Sequence, residues 1–151
     1  MKISKPIGSA ALCLAGALLL TGCSPIVSLE AAPLANDPNC AEVSVRLPDS
    51  IDTFEKRSTD AQATAAWGDP AAVILRCGLE PVLISTLPCV SAGDVDWLVD
   101  ESQAPSYRFI SFGRAPATEV IVDSNVVAGV TALETLAAAV QNIEPTKLCT
   151  D

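Results

Sequence analysis

From residue 64 onward, apolar residues recur at every second position, the period of a half-buried strand. Residues 64–67 read as one strand, Gly68-Asp69-Pro70 as a tight turn and 71–77 as the returning strand. Glycine supplies a positive φ in such a turn, and Asp69 can bond its own backbone. On the returning strand Val73, Leu75 and Cys77 share one face, and Ala72, Ile74 and Arg76 share the other. Residues 78–88, with Pro81 and Pro88, read as a loop. Residues 89–91 and 94–99 read as a hairpin about Ala92-Gly93, with Val95, Trp97 and Val99 inward and Asp94, Asp96 and Asp100 outward. Two further strands, 107–112 and 118–122, flank Gly113-Arg114-Ala115-Pro116, and 51–56 reads as a short strand.

The period changes at both ends of this run. Asp37 is a good N-cap, and Pro38 is tolerated at a first helical position. Cys40, Val43 and Leu47 then fall on one helical face before Pro48. Near the C-terminus, Thr131-Ala-Leu-Glu134 has the form of a capping box. Leu133, Leu136, Ala137 and Val140 follow as one apolar stripe that Pro145 closes. A helix, five to seven antiparallel strands and a second helix define an α+β domain, with both helices on one face of a meandering sheet.

If the sheet is a simple up-and-down meander from Ala71, successive turns alternate between its ends. The turns at 68–70, 92–93 and 113–116 then share an end and gather Trp67, Asp69, Asp94 and Arg114. One aromatic face, two carboxylates and a guanidinium would suit a sugar-like or peptide ligand, with Arg114 holding a carboxylate by two parallel bonds. The competing reading is ordinary turn geometry at Gly68-Asp69-Pro70 and core packing for Trp67 and Trp97.

The 151 residues suggest one domain, preceded by a leader over 1–22. Lys2 and Lys5 form a positive start, 7–20 is an apolar run, and Leu20-Thr-Gly-Cys23 closes it with small residues. That ending resembles the lipobox of bacterial lipoproteins. The resemblance implies that Cys23 is S-diacylated, with palmitate-type chains, and becomes the mature N-terminus on the outer face of the cell membrane. A thiolate is the nucleophile such a thioether needs, and two or three acyl chains anchor stably where one does not. Residues 23–36 read as a flexible tether of roughly 20 Å, and 37–151 as the domain. All 18 acidic residues lie after the leader, with 7 of the basic ones, so the mature chain carries a net charge of −11. Such a surface repels nucleic acid and anionic lipid head groups. It leaves the lipid as the membrane contact and an envelope protein or wall component as the candidate partner. The mean hydropathy of +0.40 is raised by the leader.

Of six cysteines, Cys13 leaves with the leader and Cys23 takes lipid. Cys40, Cys77, Cys89 and Cys149 remain, an even number that reads as disulfides in an exported chain. Three pairings are possible, and spacing does not choose among them. The chain has no histidine, which removes Ser-His-Asp and Cys-His catalysis and makes a zinc site improbable. No phosphate loop or dinucleotide fingerprint occurs, so no cofactor, no metal and no enzymatic activity are expected. Asp94 and Asp96 are weighed as a calcium or acid–base pair against a solvated strand face, and the second reading is preferred. Arg76 reads as a structural ion pair before a ligand anchor.

Trp67-Gly-Asp-Pro70, Leu75-Arg-Cys-Gly78, Val95-Asp-Trp97 and Tyr107-Arg-Phe109 together resemble domain-of-unknown-function family 3515, actinobacterial exported proteins of which many read as lipoproteins. The likeness runs from about Asp37 to Val140 and carries no known activity. The family's shared cysteines match Cys40 and Cys77, which implies Cys40–Cys77 and leaves Cys89–Cys149; the alternative pairs Cys77 with Cys89 and Cys40 with Cys149. Three functions follow as expectations: a non-catalytic envelope module that binds a partner, a small-ligand binder with a pocket between sheet and helices, and a carboxylate-dependent wall hydrolase. An aromatic-lined pocket of about 300 Å³ or more favours the second.

Overall fold

The computed structural model describes residues 25–150, so the leader and Cys23 lie outside the described residues. Two helices, α1 (Pro38–Ser44) and α2 (Gly129–Val140), bracket eight strands. The strands are β1 (Ser50–Ile51), β2 (Phe54–Arg57), β3 (Thr64–Trp67), β4 (Val73–Leu79), β5 (Cys89–Ala92), β6 (Val95–Asp100), β7 (Ser106–Ser111) and β8 (Ala117–Asp123). They form one α+β sheet in the order β1-β2-β3-β4-β8-β7-β6-β5, with every neighbouring pair antiparallel. The count exceeds the expected five to seven because the 51–56 run is itself a small hairpin, turned at Asp52 with φ 53°.

The sheet is two four-stranded meanders that meet where β4 pairs with β8. β4 does not turn back into β5. It ends beside Ala117, and β5 ends beside Val95, at the same end of the sheet. β4 and β5 therefore run parallel, and residues 80–88 carry the chain back across a face. This crossover reverses the alternation of turns on which the expected cluster of Trp67, Asp69, Asp94 and Arg114 depended.

Cross-strand partners share a face. On the helix face lie Trp67, Val73, Leu75, Val95, Trp97, Val120 and Val122, packed with Leu133, Leu136 and Val140 of α2 in one buried cluster. Both helices sit there, as the hydrophobic pattern predicts. Burying each leucine contributes about 2 kcal/mol. Asp37 caps α1 by accepting from Asn39 N at 2.8 Å, and Pro38 opens the helix. Helix α2 starts earlier than its capping-box pattern. Val126 and Val127 bond Asp123 O in a turn after β8, and an extended Ala128 leads into the helix at Gly129. Thr131 lies inside the helix, its carbonyl accepting from Thr135 Oγ1, and Ala128 at the cap makes no side-chain bond. Cys40 joins Cys77 and Cys89 joins Cys149, with Cα separations of 5.5 and 6.2 Å.

The second face carries Arg57, Ala66, Ile74, Ile121 and Arg108 in one cross-strand row, and Thr64, Arg76, Glu119, Ile110 and Leu98 in the next. No helix covers it. The 80–88 crossover and the C-terminal tail bury the β6–β7 side, where Val82, Leu87 and Cys149 pack on Leu98, Ile110 and Phe112. On the β2–β4 side the cover is the stretch expected to be a loose tether. Val27 pairs with Thr59, Ser28 and Leu29 bond the Asp60 carboxylate, and Leu34 N donates to Gly78 O at 2.8 Å. Gly78 permits this approach: a Cβ there would lie 2.4 Å from Ala35 N. From Pro25 the chain is therefore a strip laid on the domain.

Candidate functional site

Among the described residues each face of the sheet carries a concave region of about 380 Å³. On the helix face a cleft of about 380 Å³ opens between the start of α2 and the ends of β5–β8. Its walls are chiefly Val90, Val99, Tyr107, Phe109 and Val122, and Glu101 and Ser124 supply polar groups. The cause is local. Beyond Phe109 the sheet outruns the helix, and α2 begins at Gly129, where a Cβ would sit 2.9 Å from the Phe109 ring. A backbone position thus forms the end wall where a side chain would fill the space. An apolar body with a cationic or hydroxyl-bearing head matches this lining.

On the second face, beside the N-terminal strip, lies a trench. Its floor includes Ile74, Arg76 and Ile121, and 28–30 forms one wall of its 380 Å³. Glu119, 2% exposed, is held between two guanidinium groups. Arg76 Nε and Nη2 donate to Oε2 at 2.7 and 2.6 Å, and Arg108 Nε donates to Oε1. Asp100 stands across from Arg108 in the β6–β7 register and Glu30 lines the trench, so the two cations are matched by carboxylates. The arginine side chains stay about a third exposed. Nearby carboxylates respond to their surroundings. The Leu29 amide and the Ser28 hydroxyl hold the Asp60 carboxyl below its usual range. Ser102 and then Arg108 do the same for Asp100.

The residues expected to form one site lie in two places. Trp67 is fully buried, and its indole Nε1 donates to Pro48 O at 3.1 Å. Asp69 pairs with Arg57 at 3.1 Å at the end of the sheet where β3 turns into β4. Asp94 and Arg114 lie at the opposite end. Asp94 is a turn residue, with Gly93 and Asp94 both at φ 60° as a two-residue hairpin requires. Arg114, 4% exposed, donates to the carbonyls of Ile143 and Asp94, closing the chain beyond α2. Burial lowers its pKa, against the pull of Glu144 and Asp96. Asp94 and Asp96 do not work as a pair either, since Asp96 is engaged by Ser91 Oγ and Cys149 N. Trp97 is core, and Arg76 is the ion-pair residue it was read as.

Glu119 and Arg108 escaped notice as a unit, as did Tyr107 and Phe109. One signal was present: Glu119 interrupts the apolar β8 run in the outward phase, the phase that Arg76 takes in β4. Only the β4·β8 and β7·β8 registers bring the three charges together. Among the described residues no group of three or more His, Cys, Asp or Glu side chains could hold a metal ion. Nor is any helix among them long and apolar enough to cross a membrane.

This is a disulfide-stapled α+β domain with an aromatic cleft on one face and a charged trench on the other. A family model described as protein of unknown function (DUF3515) matches residues 7–148, and the chain belongs to that family. No curated protein and no solved structure matches it.

Proposed function

We propose that this chain is an exported, lipid-anchored binding protein that takes a small amphipathic molecule in the cleft beside α2 and performs no reaction on it. The cleft is the observation that supports the ligand. In a core otherwise filled by Trp67, Trp97 and the leucines of α2, about 380 Å³ stays open and is lined by Tyr107 and Phe109. The anchor rests on the Leu20-Thr-Gly-Cys23 ending. Four cysteines paired in two bridges fit an oxidising compartment. The hydrolase reading has less support, because Glu101 is the one carboxylate among the residues lining the cleft and two are needed.

The test is binding of N-phenyl-1-naphthylamine, a neutral apolar fluorophore, to the folded chain. Saturable enhancement is expected, and Val90→Trp, which fills the cleft from a half-exposed position, should abolish it without lowering the melting temperature. Absence of saturable binding, or an unchanged Val90→Trp, refutes the reading.

A further inference from the structure

We infer that the second face of the sheet lies against the phospholipid bilayer, with Arg76 and Arg108 toward headgroup phosphates and aliphatic side chains of the strip and the crossover at the lipid surface. The inference rests on the lipid-anchored reading above and adds to it a fixed orientation.

Length comes first. Only Ser24 separates the lipidation position Cys23 from Pro25, whose carbonyl accepts from Arg57 Nη2 at 2.6 Å on that same face. Two Cα–Cα steps reach about 7 Å. A tether starting at Asp37 would let the domain hang free. Because the strip is fastened at Val27, Asp60 and Gly78, the acyl chains instead leave the protein from the second face.

The chemistry of that face agrees. On the strip Ile26 is 64% exposed, and on the crossover Leu83 and Ile84 are 45% and 88% exposed, while their neighbours Val82 and Leu87 pack inward. Aliphatic groups thus stand exposed on the strip and on the crossover, on the face whose middle carries the Glu119-paired guanidiniums of Arg76 and Arg108. Arginine presents forked donors that match phosphate oxygens. The net charge of −11 repels anionic lipid and gives no bulk attraction to the bilayer. None is needed, because an anchor one residue away makes the contact intramolecular, at an effective concentration of about millimolar.

The experiment uses the mature acylated chain in vesicles of phosphatidylcholine with brominated acyl chains, which quench tryptophan at the bilayer surface. Trp67 and Trp97 are fully buried and give a constant background. Reporters are Ile84→Trp and Ile26→Trp, with Leu83→Trp as a second probe of the crossover. Val45→Trp, at the end of α1 on the helix side and 76% exposed, is the control. Quenching at positions 84 and 26 should exceed that at 45 at least threefold. Equal quenching at all positions, or more at 45, in a chain whose mass shows acylation overturns the orientation and leaves the anchor standing. A chain without acyl mass refutes the anchored reading and the orientation with it.

Discussion

The two faces of the sheet come from the same strands and are built by different rules. On the helix face, Val73, Leu75, Val120 and Val122 meet Leu133 and Leu136 in one dry cluster. On the other, coil segments cover the apolar residues at each side, and an ion triad fills the middle. A helix brings its own hydrogen bonds and can seal a face. Coil must find partners for its backbone, and here it does so at Asp60, Gly78 and Gly113. The helix face supplies stability, and the coil-covered face is where the surface can be specialised.

The sharpest way to break this contrast is to delete volume on each side. Leu136→Ala on the helix face should cost about 3–4 kcal/mol in chemical denaturation. Leu87→Ala in the crossover, half-buried, should cost about 1 kcal/mol. Equal losses would mean that the crossover is as much core as α2.

The triad comes next. Glu119→Ala leaves two arginines without a counter-charge and should cost about 3 kcal/mol. Replacing all three members, Arg76→Met, Glu119→Leu and Arg108→Met, should restore stability to within about 1 kcal/mol of the parent. Such an outcome would mean the charges are kept for what the face meets rather than for the fold. If the triple variant stays as damaged as Glu119→Ala, the triad is structural.

A smaller effect lies in the strip. Its bonds from Leu29 and Ser28 lower the folded pKa of Asp60 below the ordinary 3.8. The stabilisation is therefore present above the unfolded value and is lost as pH falls through the folded one. Amide exchange at 27–29, corrected for intrinsic rate, should rise below about pH 3.8 while β4 and β8 stay protected. Asp60→Asn should show the raised exchange at neutral pH. A strip equally protected in the variant would mean that Gly78 and Thr59 hold it alone.

Local patterns were legible in the sequence. Period two marked the strands, Asp37-Pro38 marked the first helix, and the inward phases of Cys40 and Cys77 agree with the bridge they form. The connection from β4 to β5 was not legible. Pro81 and Pro88 announce a loop, but nothing in 78–88 says whether it turns back or crosses a face, and that choice decides which turns are neighbours. Asp69 and Arg114 were misplaced for that reason alone. The strip was missed because its partners, Asp60 and Gly78, lie far along the chain and bear no local sign of their role. Glu119 showed only as a charge in an apolar strand; its two arginines come from β4 and β7, which pair with β8 at registers that no single strand encodes. The cleft was foreseen only as a place between sheet and helices, since its existence depends on α2 starting at Gly129 against Phe109.

The proposed anchor underlies both the proposed function and the orientation of the sheet, and its direct measurement is the mass of the N-terminal peptide of the mature protein. The account predicts a peptide that begins at Cys23 and carries a diacylglyceryl thioether, removed as a whole by Cys23→Ser. A mature N-terminus elsewhere, or an unmodified Cys23 thiol, would contradict it.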